Sequence, residues 1–302
     1  MVSDLALLIP GGTGQLGRDL AVAGGEFVRA PGSAALDITD AHAVDDAVDE
    51  LAGGALARGL RPVVINAAAY TAVDDAESDV DSAFAVNADG ARNLAVACAR
   101  NEVPLIHVST DYVFAGDASR PYQTDDHAEP TTVYGRSKLA GERAVLDASN
   151  TWVVRTAWVY GTRGANFVRT MARLERSRET VTVVDDQRGS PTYSADLAGG
   201  LLRLAESIVD GSPAAVSSRL LHCTGGGDTT WFEFARAIFV ELGADPDRVK
   251  PCRSKDFPRP APRPRYSVLS DASWRAAGLP PLRHWRAALA DAFATAADHF
   301  RE

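Results

Sequence analysis

The sequence predicts an α/β fold, a doubly wound parallel sheet joined to a smaller mixed α/β lobe, and three observations carry that expectation. The chain opens on an unbroken apolar run, Leu5-Ala6-Leu7-Leu8-Ile9, that leads straight into Gly11-Gly12-Thr13-Gly14-Gln15-Leu16-Gly17 and then an amphipathic stretch through Ala23. Strand-like and helix-like patterns alternate from there to Gly161. Tyr134 and Lys138 stand four residues apart in one helical stretch, downstream of Ser109-Thr110, which closes another apolar run.

A strand buried on both faces reads as continuous apolar sequence, as Leu5 to Ile9 does. The spacing G-x-x-G-x-x-G on Gly11, Gly14 and Gly17 places a tight turn between that strand and a helix N-terminus. Backbone N–H groups there can receive a pyrophosphate, which is the Rossmann-type arrangement. Phe27-Val28-Arg29 follows as a second strand, Asp40 caps a helix from about Ala41, and Val63-Val64-Ile65-Asn66 is a third strand running into Ala67-Ala68-Ala69-Tyr70. Two helical stretches reach Ala99. Leu105-Ile106-His107-Val108 is the fourth strand and Trp152-Val153-Val154-Arg155 the fifth, followed by Ala157-Trp158-Val159-Tyr160-Gly161. Ligands of such sheets gather at the carboxyl ends of the strands, where Gly11, Ala69, Thr110 and Trp158 all fall. The expected division is a dinucleotide-binding domain over 1–161, rejoined by about 189–225, with 162–302 mainly a substrate lobe.

Within that lobe Asn166-Phe167 opens a helix, Val181 to Val184 is a short strand, Asp185 to Thr192 is a polar loop, and Leu220-Leu221-His222 returns to the main sheet. Between 250 and 265 stand Lys250, Arg253, Lys255, Arg259, Arg263 and Arg265 against Asp256 alone. This segment is either a contact for a substrate's phosphates or a solvated, proline-stiffened loop.

Bulk properties narrow the class. A chain of 302 residues, 46% hydrophobic and 24% charged, can bury a large core, and no apolar run approaches a membrane span. A formal charge of -9 argues against a nucleic-acid or anionic-membrane partner. Cys98, Cys223 and Cys252 offer neither a disulfide framework nor a C-x-x-C metal pair. The start shows no basic leader, so a cytoplasmic location is expected.

The Tyr134/Lys138 pair carries the chemistry. Residues four apart share a helix face, where an ammonium can lower a phenol's pKa. Of 31 basic residues only Lys138, Lys250 and Lys255 are lysines, so a lysine at 138 points to a task for a compact ammonium. On its own the spacing is common; the glycine turn and Ser109-Thr110 give it weight.

Together these motifs resemble the extended short-chain dehydrogenase/reductases and, within them, the dTDP-4-dehydrorhamnose reductase family. Leu36-Asp37-Ile38, Asn66 to Asp74, Ser109 to Phe114, Tyr134 to Glu142, Arg155 to Tyr160 and Asp186 to Thr192 join the glycine turn in that resemblance, which covers nearly the whole chain. It implies NADPH-dependent reduction of a dTDP-linked 4-keto-deoxyhexose, the last step toward dTDP-L-rhamnose for cell-envelope polysaccharide. It also implies that Gly14, Gln15 and Leu16, with Gly11 and Gly17, meet the pyrophosphate and that Asp37 and Ile38 flank the adenine. Ala69, Tyr70 and Thr71 line the cofactor's path, with Val108 at the nicotinamide end. Thr110, Tyr134 and Lys138 are the implied catalytic set, Lys138 also holding the nicotinamide ribose. Asp111, Trp158 and Asn166 fall on the substrate side, as do Arg188 and Arg263; Arg188, Trp231 and Arg263 are the residues to follow in nucleotide binding.

Two departures qualify the resemblance. The second strand ends at Arg29 without a carboxylate, so NADPH is expected to be accepted at least as well as NADH, with Arg29 near the 2′-phosphate. Some relatives place a glutamate shortly after the Pro-Thr pair that helps bind magnesium across a dimer interface. Pro191 to Ala195 carries no carboxylate, the first being Asp196, so the sequence does not support Mg2+, and the chain is expected to be a monomer or homodimer. A sugar-nucleotide epimerase and a non-catalytic nucleotide-binding subunit, like the regulatory subunit of methionine adenosyltransferase, are the competing readings.

Overall fold

The computed structural model describes residues 4–301. In chain order the first half comprises β1 (Leu5–Leu8), α1 (Gln15–Ala23), β2 (Val28–Arg29), α2 (Ala41–Arg58), β3 (Arg61–Asn66), α3 (Val80–Phe84), α4 (Ala91–Arg100), β4 (Leu105–Thr110), α5 (Val133–Asp147) and β5 (Thr151–Thr156). Beyond it lie β6 (Val159–Tyr160), α6 (Phe167–Ser177), β7 (Val181–Val184), β8 (Arg188–Gly189), β9 (Thr192–Tyr193), α7 (Ser194–Val209), α8 (Pro213–Ser217), β10 (Leu220–His222), β11 (Thr229–Thr230), α9 (Trp231–Glu241), β12 (Val249–Cys252), α10 (Ala272–Ala276) and α11 (Trp285–Arg301).

The main sheet has six strands in the order β10-β5-β4-β3-β1-β2, every neighbouring pair parallel. Alternate residues of the apolar strands feed opposite faces. Leu5, Leu7, Val63 and Ile65 pack with Leu197, Leu201 and Leu204 of α7, whereas Leu8 and Val64 pack with Val44, Val48, Leu94 and Cys98 of α2 and α4. Each such side chain contributes roughly 1.5–3 kcal/mol by leaving water. From β1 the chain first winds outward to β2 and then returns to β3 on the other side, so the crevice opens between the carboxyl ends of β1 and β3.

The strand Leu220 to His222 joins the sheet beside β5 as the sequence predicts, and α7 packs on α1. A separate core of Tyr160, Val168, Val181, Phe234, Ile238, Phe239 and Trp285 lies under α6, α9 and α11, with β7 pairing β12 and β8 pairing β11. Local detail differs from the sequence reading in three places. The second strand shrinks to Val28 and Arg29, and β4 extends through Ser109 and Thr110 because it pairs with β5 over its whole length. Ala85 to Gly90 forms a π turn between α3 and α4.

Candidate active site

A cleft of about 800 Å³ runs across the carboxyl ends of the central strands. Its first wall is the glycine turn. Gly11 adopts φ +80°, and a Cβ there would come within 2.5 Å of the Ala68 backbone nitrogen, so the ends of β1 and β3 can meet only at a glycine. Gly17 presses equally close on the Gly11 carbonyl, at 2.2 Å for an added Cβ. Gly14 is the N-cap of α1 and uses no side chain, leaving the helix's first N–H groups for a ligand.

The second wall is α5. Thr132 caps it by accepting the Gly135 N–H at 3.0 Å, and Glu77 accepts the Val133 N–H at 2.9 Å. Tyr134 and Lys138 both line the cleft, one turn apart. The expected depression of the phenol is not what the geometry yields. Burial pushes the Tyr134 phenol up to about 12, opposed by the Thr110 hydroxyl and reinforced by Asp111. The reason is direction: Lys138 Nζ donates to the Val108 carbonyl at 2.7 Å and meets His107 Nε2 at 3.3 Å. Burial brings Lys138 itself down to about 8, with Glu142 opposing.

The floor is a row of hydroxyls at the ends of β4 and β5. Thr110 Oγ1 donates to Asp111 Oδ1 at 2.9 Å and accepts the Tyr112 N–H at 3.2 Å. Burial raises Asp111 to about 6. Ser109 and Thr156 line the cleft, while their hydroxyl oxygens are closed off from solvent and have no hydrogen-bond partner among the described residues.

The far end is aromatic. Trp158 lines the cleft with φ +48°, an uncommon conformation for a bulky residue, and stacks on Trp231 with centroids 3.5 Å apart and planes 7° off parallel. Phe167 backs Trp231 at 4.5 Å. A Cβ on Gly189 would lie 2.4 Å from the Trp158 ring, so the indole rests on bare backbone.

Gly11, Gly14, Gln15, Leu16, Gly17, Asp37, Ile38, Ala69, Tyr70, Thr71, Val108, Thr110, Asp111, Tyr134, Lys138 and Trp158 therefore share one cleft. Four sequence candidates lie outside its lining. Arg29 pairs with Glu50 of α2, Arg188 with Asp228, and Arg263 donates to Asp74 at 2.7 Å. Asn166 caps α6 and donates to Gln15 Oε1 at 2.9 Å and to the Gly161 carbonyl at 2.8 Å. The proline-rich segment reaches the cleft through Pro264. Asp196 accepts both forks of Arg283, at 2.7 and 2.8 Å, and among the described residues no cluster of three or more His, Cys, Asp or Glu could hold a metal.

Sequence reasoning missed several supports. Asn87, in the π turn, accepts the Tyr70 N–H at 2.9 Å and donates to the Tyr70 carbonyl at 3.0 Å and to Ser137 Oγ at 2.9 Å. It thereby ties the cleft wall to α5. Ser33 lines the cleft unannounced by any motif, and Thr156, inside the Arg155 to Tyr160 motif, lines it without having been singled out. His107 could have been noticed as a lone polar residue inside an otherwise apolar strand.

A doubly wound sheet whose first glycine turn shares a cleft with a tyrosine and a lysine one helical turn apart defines an oxidoreductase of the short-chain dehydrogenase/reductase type. The chain belongs to the RmlD substrate binding domain family, which matches residues 5–297. It is 51% identical to the dTDP-4-dehydrorhamnose reductase of Mycobacterium tuberculosis, over 97% of this chain and 93% of the relative. It is 50% identical to that of Streptomyces griseus, over 95% and 92%. The solved dTDP-4-dehydrorhamnose reductase of Bacillus anthracis, in complex with NADP, superposes with a TM-score of 0.87 at 35% identity, covering 97% of this chain and 99% of that one.

Proposed function

We propose that the chain reduces the C4 ketone of dTDP-4-dehydro-6-deoxy-L-mannose (dTDP-4-dehydrorhamnose) with NADPH, giving dTDP-L-rhamnose. The observation that carries this is the buried Tyr134/Lys138 pair facing the glycine turn across one cleft. The fit to a dinucleotide is physical: Gly14 caps α1 without a side chain, which leaves the helix's first N–H groups free to receive phosphates at the edge of the cleft. NADPH supplies the hydride that reaches C4. Tyr134, kept protonated by its raised pKa, gives its proton to the ketone oxygen as that charge develops. The Thr110 hydroxyl orients the same oxygen, and Lys138 holds the cofactor ribose and restores the proton to Tyr134. Asp111 contacts substrate beside Thr110, and the Trp158/Trp231 stack presents an apolar face to the deoxysugar.

In this reading 1–161 with about 189–225 holds the dinucleotide, Gly14 to Leu16 at its pyrophosphate and Asp37 and Ile38 at its adenine, and the remainder of 162–302 supplies the sugar-nucleotide side. Arg188 and Arg263 serve the substrate's phosphates after exchanging their present carboxylate partners. NADPH is accepted at least as well as NADH. The chain acts in the cytoplasm as a monomer or homodimer; among the described residues no helix is long and apolar enough to cross a membrane.

Purified protein given NADPH and dTDP-4-dehydrorhamnose should consume one cofactor per sugar and release dTDP-L-rhamnose. Turnover without net cofactor loss would move the reading to an epimerase. Binding of cofactor with no turnover on any 4-keto sugar nucleotide would make the chain a binding subunit.

A further inference from the structure

His107, 1% exposed, stands behind Lys138 and outside the cleft lining. Its ring chemistry is set from the neighbouring strand. Asn66 Oδ1 accepts the Ala68 N–H at 3.0 Å, so the atom that Asn66 turns to His107 Nδ1, also at 3.0 Å, is its amide nitrogen. An amide nitrogen only donates. Nδ1 is therefore the acceptor. Burial holds the imidazole neutral, so its single proton sits on Nε2. That Nε2–H is aimed at Lys138 Nζ, 3.3 Å away, while Nζ spends one of its own hydrogens on the Val108 carbonyl at 2.7 Å. An ammonium would face this N–H with hydrogens only, whereas a neutral amine receives it in its lone pair.

We propose that Asn66 and His107 are positioning residues that lock His107 as the Nε2–H tautomer and thereby favour the amine form of Lys138. The consequence is that amine and ammonium coexist around neutral pH, so Lys138 can release a proton into the cleft it shares with Tyr134, becoming the amine, and take another from solvent. The function assigned to this device rests on the Tyr134/Lys138 reading above; the tautomer itself does not.

The groups facing Lys138 leave this contact decisive. Glu142, the next turn of α5, favours the ammonium, but its carboxylate is already bound by both forks of Arg155 from β5, at 2.9 and 2.7 Å. His222 of β10, which touches Arg155, is held neutral by burial and by that guanidinium, down to about 3. Tyr134 and the Tyr112 ring packed edge-on against it are both raised by burial and stay protonated. Asp111, after β4, is raised by burial to about 6.

The test has two arms. In the full chain labelled with nitrogen-15, a long-range proton–nitrogen correlation spectrum should show His107, identified by the loss of its signals in His107→Gln, with Nε2 protonated and Nδ1 bare. A proton on Nδ1, or on both nitrogens, overturns the proposal. In the second arm, His107→Leu should move the alkaline limb of kcat/KM upward by about half a pH unit or more, a roughly threefold change in the amine-to-ammonium ratio. An unchanged or lowered limb overturns it too, because an Nε2 that accepted from the ammonium would leave a lower pKa when removed. Full turnover in Tyr134→Phe would remove the catalytic reading and leave the tautomer result standing.

Discussion

Lys138 Nζ lies 2.7 Å from the Val108 carbonyl oxygen, so the lysine one turn along α5 from Tyr134 points into β4 and not along its own helix. Tyr134 is consequently governed by burial, which suits it to donate a proton. Replacing Tyr134 with Phe should lower kcat by about 10²–10⁴-fold, the span of one general acid, with NADPH affinity preserved by fluorescence titration. Lys138 is held near 8, so it is ammonium below that pH and amine above it. The rate should therefore fall as pH rises through about 8. A flat alkaline profile would assign the proton supply elsewhere.

Gly189 lies directly under the Trp158 ring, and Trp158 in turn stacks on Trp231. Gly189→Ala has no room for its methyl unless the indole tilts off its partner. The expected result is a KM for the sugar nucleotide raised by about 2–10-fold, since an aromatic pair contributes roughly 0.5–1.5 kcal/mol beyond its buried area. Cofactor affinity should stay where it was. An unaltered KM would show that the stack makes no contact with substrate.

Glu142 and Arg155 form a buried bidentate pair with side chains 2% and 4% exposed, and the Arg155 guanidinium also covers the Phe114 ring at 4.9 Å. Arg155→Met strands a buried carboxylate and should cost about 3–5 kcal/mol, read as a lower urea midpoint. Changing both residues to Met should recover much of that loss, because two packed apolar side chains carry no desolvation cost. A double variant no more stable than the single one would contradict this account.

Arg29 closes β2, and its guanidinium rests on Glu50 while Ser33 lines the cleft nearby. If Arg29 swings to a 2′-phosphate, Arg29→Asp should weaken NADPH by about 10–100-fold, the worth of one charge-assisted bond, and leave NADH nearly untouched. Equal losses for the two cofactors in calorimetry would assign the discrimination to other residues.

Much of this molecule was legible one segment at a time. Leu5 to Ile9, Val63 to Asn66, Leu105 to Val108 and Trp152 to Arg155 announce buried strands, Gly11 to Gly17 the turn, and Tyr134 and Lys138 a shared helix face, because each depends on neighbours within a few residues. Those periodicities, with the resemblance they support, determined the sheet and named most residues that now line the cleft.

Tertiary structure decided the rest, through partners far apart in the chain. Only packing shows that Lys138 turns to Val108, that Asn66 dictates the His107 proton, that Asn87 grips both ends of the Tyr70 backbone, and that Trp231 covers Trp158. It likewise bound Arg29, Arg188 and Arg263 to carboxylates that no local pattern could assign. The physical reason is that strand and helix signals are written in short-range repeats, whereas side-chain direction and protonation depend on which distant atoms fill the remaining space.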